Sequence, residues 1–403
     1  MLKFFKGRSI GYIIKHMAVS PLVLLVWLAI EIANLFRPVF IVGLSYKGRI
    51  TQYMVPMELH LRNANQLNQK YLMIFVMPAA TPNEAVRTVY RRYSIIVDSH
   101  FPNFIRRTFS ILAVLLKSRF TPELPNWQDL WQLEPATTLT NDELKFGEEL
   151  LEKLGIPKGA QYVCLGVKEA AYYASITPDR GYGQDLRHQG TDSKNVNIEN
   201  YMAAATYLAQ QGIYVVRMGS VVGAPLPKER HPMIIDYATT HRSELGDITL
   251  GAKCKFLICG ASGYWILASS HSRPILYCDV FEFGFEQDFL SRNARTLAIF
   301  RILKFTSESF FATFAEIAAA GINCASDIKL TEIGLEPILN TPEEILNATL
   351  EMNNWIDGKL ELSEYDEELQ TKFYNCYPPE TRIEKNPLVK ISPSFLRKYQ
   401  DLL

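Results

Sequence analysis

The chain has 403 residues, and its 42 basic and 42 acidic side chains leave no formal net charge. This length predicts two domains of ordinary size, each with its own hydrophobic core. The balanced charge and the lack of a nucleic-acid-binding motif in the sequence exclude nucleic acid as a partner. The six cysteines show no CxxC spacing, which is typical of reduced, buried thiols in a cytosolic protein.

Residues 1–36 form a basic and hydrophobic segment. Basic residues at positions 3, 6, 8 and 15 precede a nearly continuous apolar run at 21–36. The run is near the shortest length that spans a bilayer, contains Glu31 and is followed by no small-residue cleavage site. It predicts a hydrophobic helix on the inner face of the membrane, and hence a cytoplasmic, peripherally associated protein. Packing of this helix on the protein's own sheet is the alternative.

Residues 37–158 predict an N-terminal Rossmann-like domain. Apolar runs of strand length alternate with amphipathic segments, and this alternation indicates a parallel α/β sheet with helices on both faces. The predicted strands cover 38–44, 71–77 and 94–98, and the predicted helices cover 50–66, 83–93, 104–117 and 141–154.

Residues 159–341 predict a second Rossmann-like domain, and 342–403 predict a helical C-terminal tail. The predicted strands cover 162–167, 213–217, 255–259 and 274–278, and the predicted helices cover 197–211 and 264–270. A polar loop at 178–195 is longer than a plain connector, which is typical of a functional or mobile loop.

Small residues follow two strands of the second domain. Gly260, Ala261, Ser262 and Gly263 connect one strand to the next helix, and Gly219 follows another strand. Free backbone N–H groups and a helix dipole at such a turn favour an anion such as a nucleotide diphosphate. The alternative is that these residues are small only because the backbone packs closely there.

Seven motifs resemble those of a family of bacterial surface-polysaccharide glycosyltransferases: GLSYKGRITQY, VCLGVKEAAY, NIENY, VVRMG, IIDYA, AKCKFLICGASG and ISPSFL. The resemblance extends over most of the chain from Arg37 onward. It implies the GT-B fold, in which two Rossmann-like doubly wound domains face a cleft. It also implies transfer of a sugar from a nucleotide-sugar donor to a glycan or lipid-linked acceptor.

The chain departs from the family pattern at two places. Val167, Lys168 and Glu169 replace an expected Val-Arg-Asp triplet, so Lys168 would contact the donor diphosphate as a point charge instead of a bidentate guanidinium. Gln52 or Tyr53 replaces an expected histidine, which leaves no histidine role at that position.

The predicted donor site belongs to the second domain. Arg217 ends a buried strand and either contacts the donor or forms a structural ion pair. Asp236 either binds a ribose or base, or caps a helix, and Ser262 is suited to both capping and phosphate binding. The full set of predicted donor-binding residues is Lys168, Arg187, Arg217, Gly219, Asp236, Ser262 and Gly263.

The predicted acceptor site belongs to the first domain. Gly48 and Arg49 form its loop, and Glu58 and Asp98 are the candidate catalytic carboxylates. An inverting transferase needs such a base to remove the proton of the acceptor hydroxyl. A solvated helix face is the alternative for Glu58.

The sequence shows neither an Asp-x-Asp pair nor histidines at metal-binding spacing. It therefore predicts a metal-independent reaction with no cofactor apart from the nucleotide-sugar substrate. Two other functions remain open at this stage. One is a sugar-nucleotide epimerase of the same fold, and the other is a non-catalytic glycan-binding or scaffold protein.

Overall fold

The computed structural model describes residues 25, 28–29, 31–44, 49–67, 70–79, 81–98, 127–175, 195–260, 262–280, 294–307, 310–322, 330, 332–377 and 387–403. The chain divides into two compact units, residues 1–126 and 127–403. The predicted helix at 104–117 and nearly all of the polar loop at 178–195 lie outside the described residues.

The described part of the first unit contains a three-stranded parallel sheet in the order β1-β2-β3. Its strands are β1 (Val39–Gly43), β2 (Leu72–Met77) and β3 (Ile95–Asp98), and its helices are α1 (Ile50–Asn65) and α2 (Glu84–Arg91). Asn83 caps the N-terminus of α2, because its side chain accepts a hydrogen bond from the Val86 N–H at 2.9 Å. The predicted alternation of strands and helices is confirmed for these five elements.

The chain enters this sheet from a short helical stretch at residues 31–34. The Asn34 side chain accepts a hydrogen bond from the backbone N–H of Val39 at 2.6 Å, so the end of this stretch is tied to β1. Residues 1–24, which carry most of the predicted basic segment, lie outside the described part. Within the described part, no helix combines the length and the apolar character needed to cross a membrane.

The second unit is built on a seven-stranded, all-parallel sheet in the order β12-β9-β8-β7-β4-β5-β6. Its strands are β4 (Tyr162–Val167), β5 (Tyr214–Met218), β6 (Ile234–Ile235), β7 (Leu257–Gly260), β8 (Ile275–Val280), β9 (Thr296–Phe300) and β12 (Val389–Ile391). Two further strands, β10 (Ile302–Phe305) and β11 (Leu335–Ile338), form a separate antiparallel pair.

Helices cover this sheet, as its almost unbroken apolar strands require. In chain order they are α3 (Trp127–Trp131), α4 (Asn141–Lys153), α5 (Ala170–Ala174), α6 (Met202–Gln210), α7 (Tyr237–Thr240), α8 (Glu244–Lys253), α9 (Trp265–Ser269), α10 (Phe314–Ala319), α11 (Pro342–Ile356), α12 (Glu364–Asn375) and α13 (Pro393–Lys398). Helix α6 packs on α11, and α8 packs on α4. The result is one large apolar core around β4, β7 and β8.

The contacts place the division of the chain between Asn126 and Trp127, whereas the sequence placed the domain boundary near residue 158. The difference arises because α4 packs against α8 and so belongs to the second unit. The two-domain GT-B arrangement, with a cleft between domains, stays a prediction.

The C-terminal tail contains a strand that the sequence did not predict. β12 has only three residues, and it pairs with β9 in parallel. Gln370 holds it in place, because its side chain accepts a hydrogen bond from the Ile391 N–H at 3.0 Å and donates to the Ile391 carbonyl. So short a strand leaves no periodic signal, and the tail is therefore part of the sheet as well as helical.

Candidate functional site

The candidate site lies at the carboxyl edge of the seven-stranded sheet. From β6 to β9 the strands follow the order of a Rossmann-like doubly wound sheet, whose direction of winding reverses between β4 and β7. In such sheets the crevice at this switch point receives the ligand. The turn predicted from Gly260 to Gly263 follows β7 and therefore lies at the switch point. Lys168 follows β4 and donates its backbone N–H to the Gly260 carbonyl at 3.1 Å.

Two glycines at the switch point are covered by tyrosines on opposite faces of the sheet. Gly260 pairs with Val167, and the preceding residue Gly166 therefore points to the other face. A β-carbon on Gly166 would lie 3.1 Å from the β-carbon of Tyr264. A β-carbon on Gly260 would lie 2.8 Å from Cζ of Tyr201, with the hydroxyl of that tyrosine closer still. Gly260 therefore has no room for a side chain, whereas a side chain at Gly166 would require Tyr264 to move by a few tenths of an ångström.

A buried aspartate near the end of β8, Asp279, holds the hydroxyl of Tyr201. This hydroxyl donates to Oδ2 of Asp279 at 2.6 Å. Asp279 has a φ of 54°, a left-handed conformation that is uncommon outside glycine. Asn340 holds this backbone, because it accepts the Asp279 N–H at 2.6 Å and donates its own N–H to Oδ1 of Asp279 at 2.9 Å. Burial raises the pKa of Asp279, and the nearby charge of Arg301 opposes this effect.

A second buried aspartate lies on the Tyr264 side of the sheet. Asp247 of α8 accepts hydrogen bonds from Arg242 at 2.8 Å and from the Tyr237 hydroxyl at 3.1 Å. Burial raises the pKa of Asp247 to about 6, although the charge of Arg242 acts in the opposite direction. The Arg242 side chain is 26 % exposed, so it pairs with the buried carboxylate of Asp247 and still reaches solvent. Tyr264 interacts electrostatically with both Asp247 and Arg242.

Arg217, the predicted phosphate contact, is held by two carboxylates. Its side chain is only 1 % exposed and lies 2.7 Å from Glu169 Oε2 and 3.3 Å from Asp236 Oδ1. It also donates to the Ala224 carbonyl at 2.7 Å. The two acidic groups more than balance its charge, so the interpretation as a structural ion pair fits this geometry better than a diphosphate contact.

The neighbours of Arg217 organise the loop that follows β5. Asp236 accepts the Leu226 N–H at 2.8 Å and the Thr239 hydroxyl at 2.7 Å through the oxygen that Arg217 does not contact. A β-carbon on Gly219 would lie 2.5 Å from Cγ1 of Val222, so this glycine permits the loop to fold back. These contacts give Asp236 and Gly219 a loop-forming role.

Ser262 lies two residues before the N-cap of the next helix, which is Tyr264 and has no side-chain capping bond. The Ser262 hydroxyl accepts the Tyr264 N–H at 3.3 Å and so closes a local turn before the helix. Gly263, half-buried beside it, accepts the Ile266 N–H at 3.3 Å. The following helix α9 has only five residues, so its dipole is small compared with that of a long helix. Ala261 lies outside the described residues, and so does the predicted donor contact Arg187.

In the first unit, Glu58 is completely buried. One carboxylate oxygen lies 2.8 Å from Nε of Arg62, and the other accepts the Tyr90 hydroxyl at 2.6 Å. Both oxygens are therefore occupied, one by Arg62 of the same helix α1 and the other by Tyr90 of α2. This environment suits a structural ion pair, and it differs from the solvated helix face that was the alternative to a catalytic role.

Asp98 and Arg49 are the other predicted residues of the first unit that the structure describes. Asp98 ends β3, pairs with Arg87 and leaves 46 % of its side chain exposed. Arg49 is half-buried directly before α1. Gly48 lies outside the described residues. Of the two candidate carboxylates, Asp98 is the one that solvent reaches.

Sequence reasoning missed Tyr201, Arg242, Asp247, Tyr264 and Asp279 as members of this site. Asp279 carried a usable signal, because a charged residue directly after an apolar strand run marks the carboxyl edge of a sheet. Tyr201 carried none, since its contact with Asp279 spans 78 positions, and the local pair of Arg242 and Asp247 looked like an ordinary pair at the start of a helix. Across the described residues, no group of three or more His, Cys, Asp or Glu side chains could hold a metal ion.

No protein-family model and no curated protein matches the chain. A search of solved structures finds the ADP-heptose LPS heptosyltransferase II of Escherichia coli, with 13 % identity and a TM-score of 0.41 over 80 % of this chain and 99 % of that one. It also finds a glycosyl transferase family 9 protein of Veillonella parvula, with 11 % identity and a TM-score of 0.39 over 66 % and 86 %.

A third similar structure is the iron-containing heptosyltransferase TibC of E. coli in complex with ADP-D-β-D-heptose. It shares 11 % identity with a TM-score of 0.35 over 79 % of this chain and 77 % of that one. With TM-scores below 0.5, these likenesses do not assign the chain to a family.

Proposed function

We propose that the chain is a glycosyltransferase that binds a nucleotide-sugar at the carboxyl edge of the seven-stranded sheet. The observation that carries this proposal is the strand order, which puts the switch point between β4 and β7, beside the Gly260 turn. Ligands of open α/β sheets bind at this position. The motifs that resemble glycosyltransferases of surface-polysaccharide synthesis include this same turn.

Positive charge for the donor diphosphate would come from two side chains. Lys168 is half-buried directly after β4, where the crevice begins. Arg242 is partly exposed, and among the described residues its ion-pair partner is the carboxylate of Asp247. Arg217 would instead hold the loop after β5, because its two acidic partners already neutralise it. Charge-assisted hydrogen bonds from Lys168 and Arg242 would stabilise the departing nucleoside diphosphate.

The acceptor, a glycan or lipid-linked sugar, would bind at the carboxyl edge of the first unit's sheet. Asp98 has the exposed carboxylate that a general base needs in order to take the acceptor proton. Arg49 lies at the same edge, because the strand β1 and the strand β3 are parallel neighbours of β2. We propose metal-independent transfer, in which Lys168 and Arg242 supply the electrostatic stabilisation of the departing nucleoside diphosphate.

A thermal-shift panel tests the donor class. We expect one of UDP, GDP, ADP or CDP, or its sugar derivative, to raise the melting temperature, because a ligand that binds only the folded state stabilises it. ADP-heptose, the ligand of the TibC complex, belongs in the panel. If no nucleotide shifts the melting temperature, the chain is a non-catalytic binding protein instead. A changed sugar released without any acceptor would identify an epimerase.

We further propose that the N-terminal segment attaches the protein peripherally to a membrane. Leu25, Leu28 and Ile32 are exposed helical residues at a spacing of three and four, and Leu35 and Phe36 are exposed in the turn that follows. Leu35 and Phe36 are 81 % and 85 % exposed. Large apolar side chains in such a stripe bind an interface readily, and the basic residues before them favour anionic lipid.

Replacing Leu35 and Phe36 together by Ser tests this attachment. Each lost side chain removes about 1.5–3 kcal/mol of apolar burial if it inserts, so binding to anionic vesicles should fall at least tenfold. Vesicle co-sedimentation measures the loss, and Ile95→Ser on the exposed edge strand β3 is the matched control. Equal binding of both variants would contradict the proposal, and it would leave packing on the protein itself as the role of the segment.

A further inference from the structure

The backbone at Gly260 rests directly on the ring of Tyr201. A β-carbon at this position would lie 2.8 Å from Cζ of Tyr201 and 3.1 Å from Cγ1 of Val167. Atoms of a real side chain do not approach so closely. The phenol therefore occupies the space that any other residue at position 260 would need.

Tyr201 itself has little freedom to move. Its side chain is fully buried directly before α6, and its hydroxyl is bonded to Asp279 at 2.6 Å. Asp279 is held in turn by two hydrogen bonds with Asn340, at 2.6 and 2.9 Å. Asn340 also donates to the Phe300 carbonyl at 2.8 Å, which ties the group to β9.

The unusual backbone of Asp279 belongs to the same arrangement. Its φ of 54° lies where the register between β8 and β9 shifts, between Tyr277 and Val280. Such bulges and left-handed residues occur beside binding sites, where the surroundings keep them in place. Here they aim the carboxylate at Tyr201 and not along the strand.

We propose that Tyr201, with Asp279 behind it, is a positioning residue for nucleotide-sugar binding. It fixes the backbone at Gly260, where the turn after β7 begins, and thereby the backbone surface that a nucleotide diphosphate meets. Because Tyr201 is fully buried, it acts through the turn and not by contact with the ligand. This inference rests on the proposed function, which places the diphosphate at the switch point.

The test compares Tyr201→Phe with Tyr162→Phe. Tyr162 is a matched control, because its buried hydroxyl also makes one strong hydrogen bond, to the Leu250 carbonyl at 3.0 Å, but at the opposite end of β4. Tyr201→Phe should lose more stability than Tyr162→Phe, because its lost hydrogen bond is to a carboxylate and not to a backbone carbonyl. Only Tyr201→Phe should weaken binding of the nucleoside diphosphate selected by the panel, by about tenfold, in calorimetry at a temperature where both variants are folded. Equal affinity of the two variants would overturn the proposal.

A double-mutant cycle tests the contact itself. Gly260→Ala should weaken nucleotide binding because the new methyl group meets Tyr201. Adding Tyr201→Phe removes the tyrosine hydroxyl, the atom nearest to that methyl group. Tyr201→Phe should therefore cost less affinity in the Gly260→Ala protein than in the wild type. Additive effects of the two substitutions would show that Tyr201 does not act through residue 260.

Hydrogen exchange separates this inference from the proposed function. If the wild type binds no nucleotide diphosphate, the proposed donor site is wrong, and the exchange of the amides at 262–264 then decides whether Tyr201 controls the turn. Faster exchange of these amides in Tyr201→Phe than in Tyr162→Phe supports that control. Equal exchange in both variants overturns it.

Discussion

Two arginines of the same unit, Arg217 in β5 and Arg242 directly before α8, have different electrostatic environments. Arg217 is 1 % exposed and shares two carboxylates, whereas Arg242 is 26 % exposed and has one. Arg217 therefore belongs to a group with one excess negative charge. Arg242 belongs to a neutral ion pair, and part of its guanidinium side chain remains accessible to solvent. The comparison shows that a basic residue at a strand end is a candidate anion contact only after its acidic neighbours are counted.

The largest effect should come from Arg217→Ala. This change leaves the carboxylates of Glu169 and Asp236 without their buried partner, which should cost about 3–5 kcal/mol of unfolding free energy. Denaturant unfolding followed by circular dichroism measures the loss. Lys158→Ala, which breaks an exposed pair with Glu148, should leave stability nearly unchanged. A well-folded Arg217→Ala protein that has lost only nucleotide affinity would contradict this expectation and make Arg217 a donor contact.

The partner of Arg242 should make stability depend on pH. The folded pKa of Asp247 is raised from 3.8 to about 6 by burial, so folding favours its protonated form. Its stabilising contribution is complete below about pH 4 and is lost as the pH rises through about 6, a change of about 3 kcal/mol.

Asp247→Asn removes this titration and should flatten the difference in stability between pH 4 and 6. Urea unfolding of wild type and variant across this range provides the measurement. Curves that stay parallel would mean that Asp247 titrates near its ordinary value and is well solvated. The Arg242 pair would then resemble a surface ion pair.

Arg242→Ala should cost less stability than Arg217→Ala, because it leaves one buried carboxylate unpaired instead of two, and we expect its main consequence in binding. Loss of one charge-assisted hydrogen bond to a phosphate costs about 1.5–3 kcal/mol, or about ten- to a hundredfold in affinity. Isothermal titration with the nucleoside diphosphate selected by the panel measures it, with Lys158→Ala as the control. Unchanged affinity would remove Arg242 from the donor site and leave Lys168 as its basic residue.

The central strands of the second unit were predictable because they are apolar runs with a local signal, whereas the three-residue strand β12 has none. The strand at 162–167 was predicted with its observed limits, since it is a continuous apolar run. The site was less predictable, because its decisive contacts are not local. Arg217 meets Glu169 across 48 positions of the chain, and Tyr201 meets Asp279 across 78. No spacing rule connects residues so far apart, and only the packed sheet brings them together.

The place of β12 in the sheet bears on how the protein is made. Its three residues pair with β9, which is synthesised almost a hundred positions earlier. Until the ribosome releases residues 387–403, β9 is therefore an open strand edge with unpaired backbone groups. Open edges recruit other chains, so the nascent protein is exposed to misassembly during this interval. The edge of β9 is therefore protected only after residues 389–391 have been made and have paired with it.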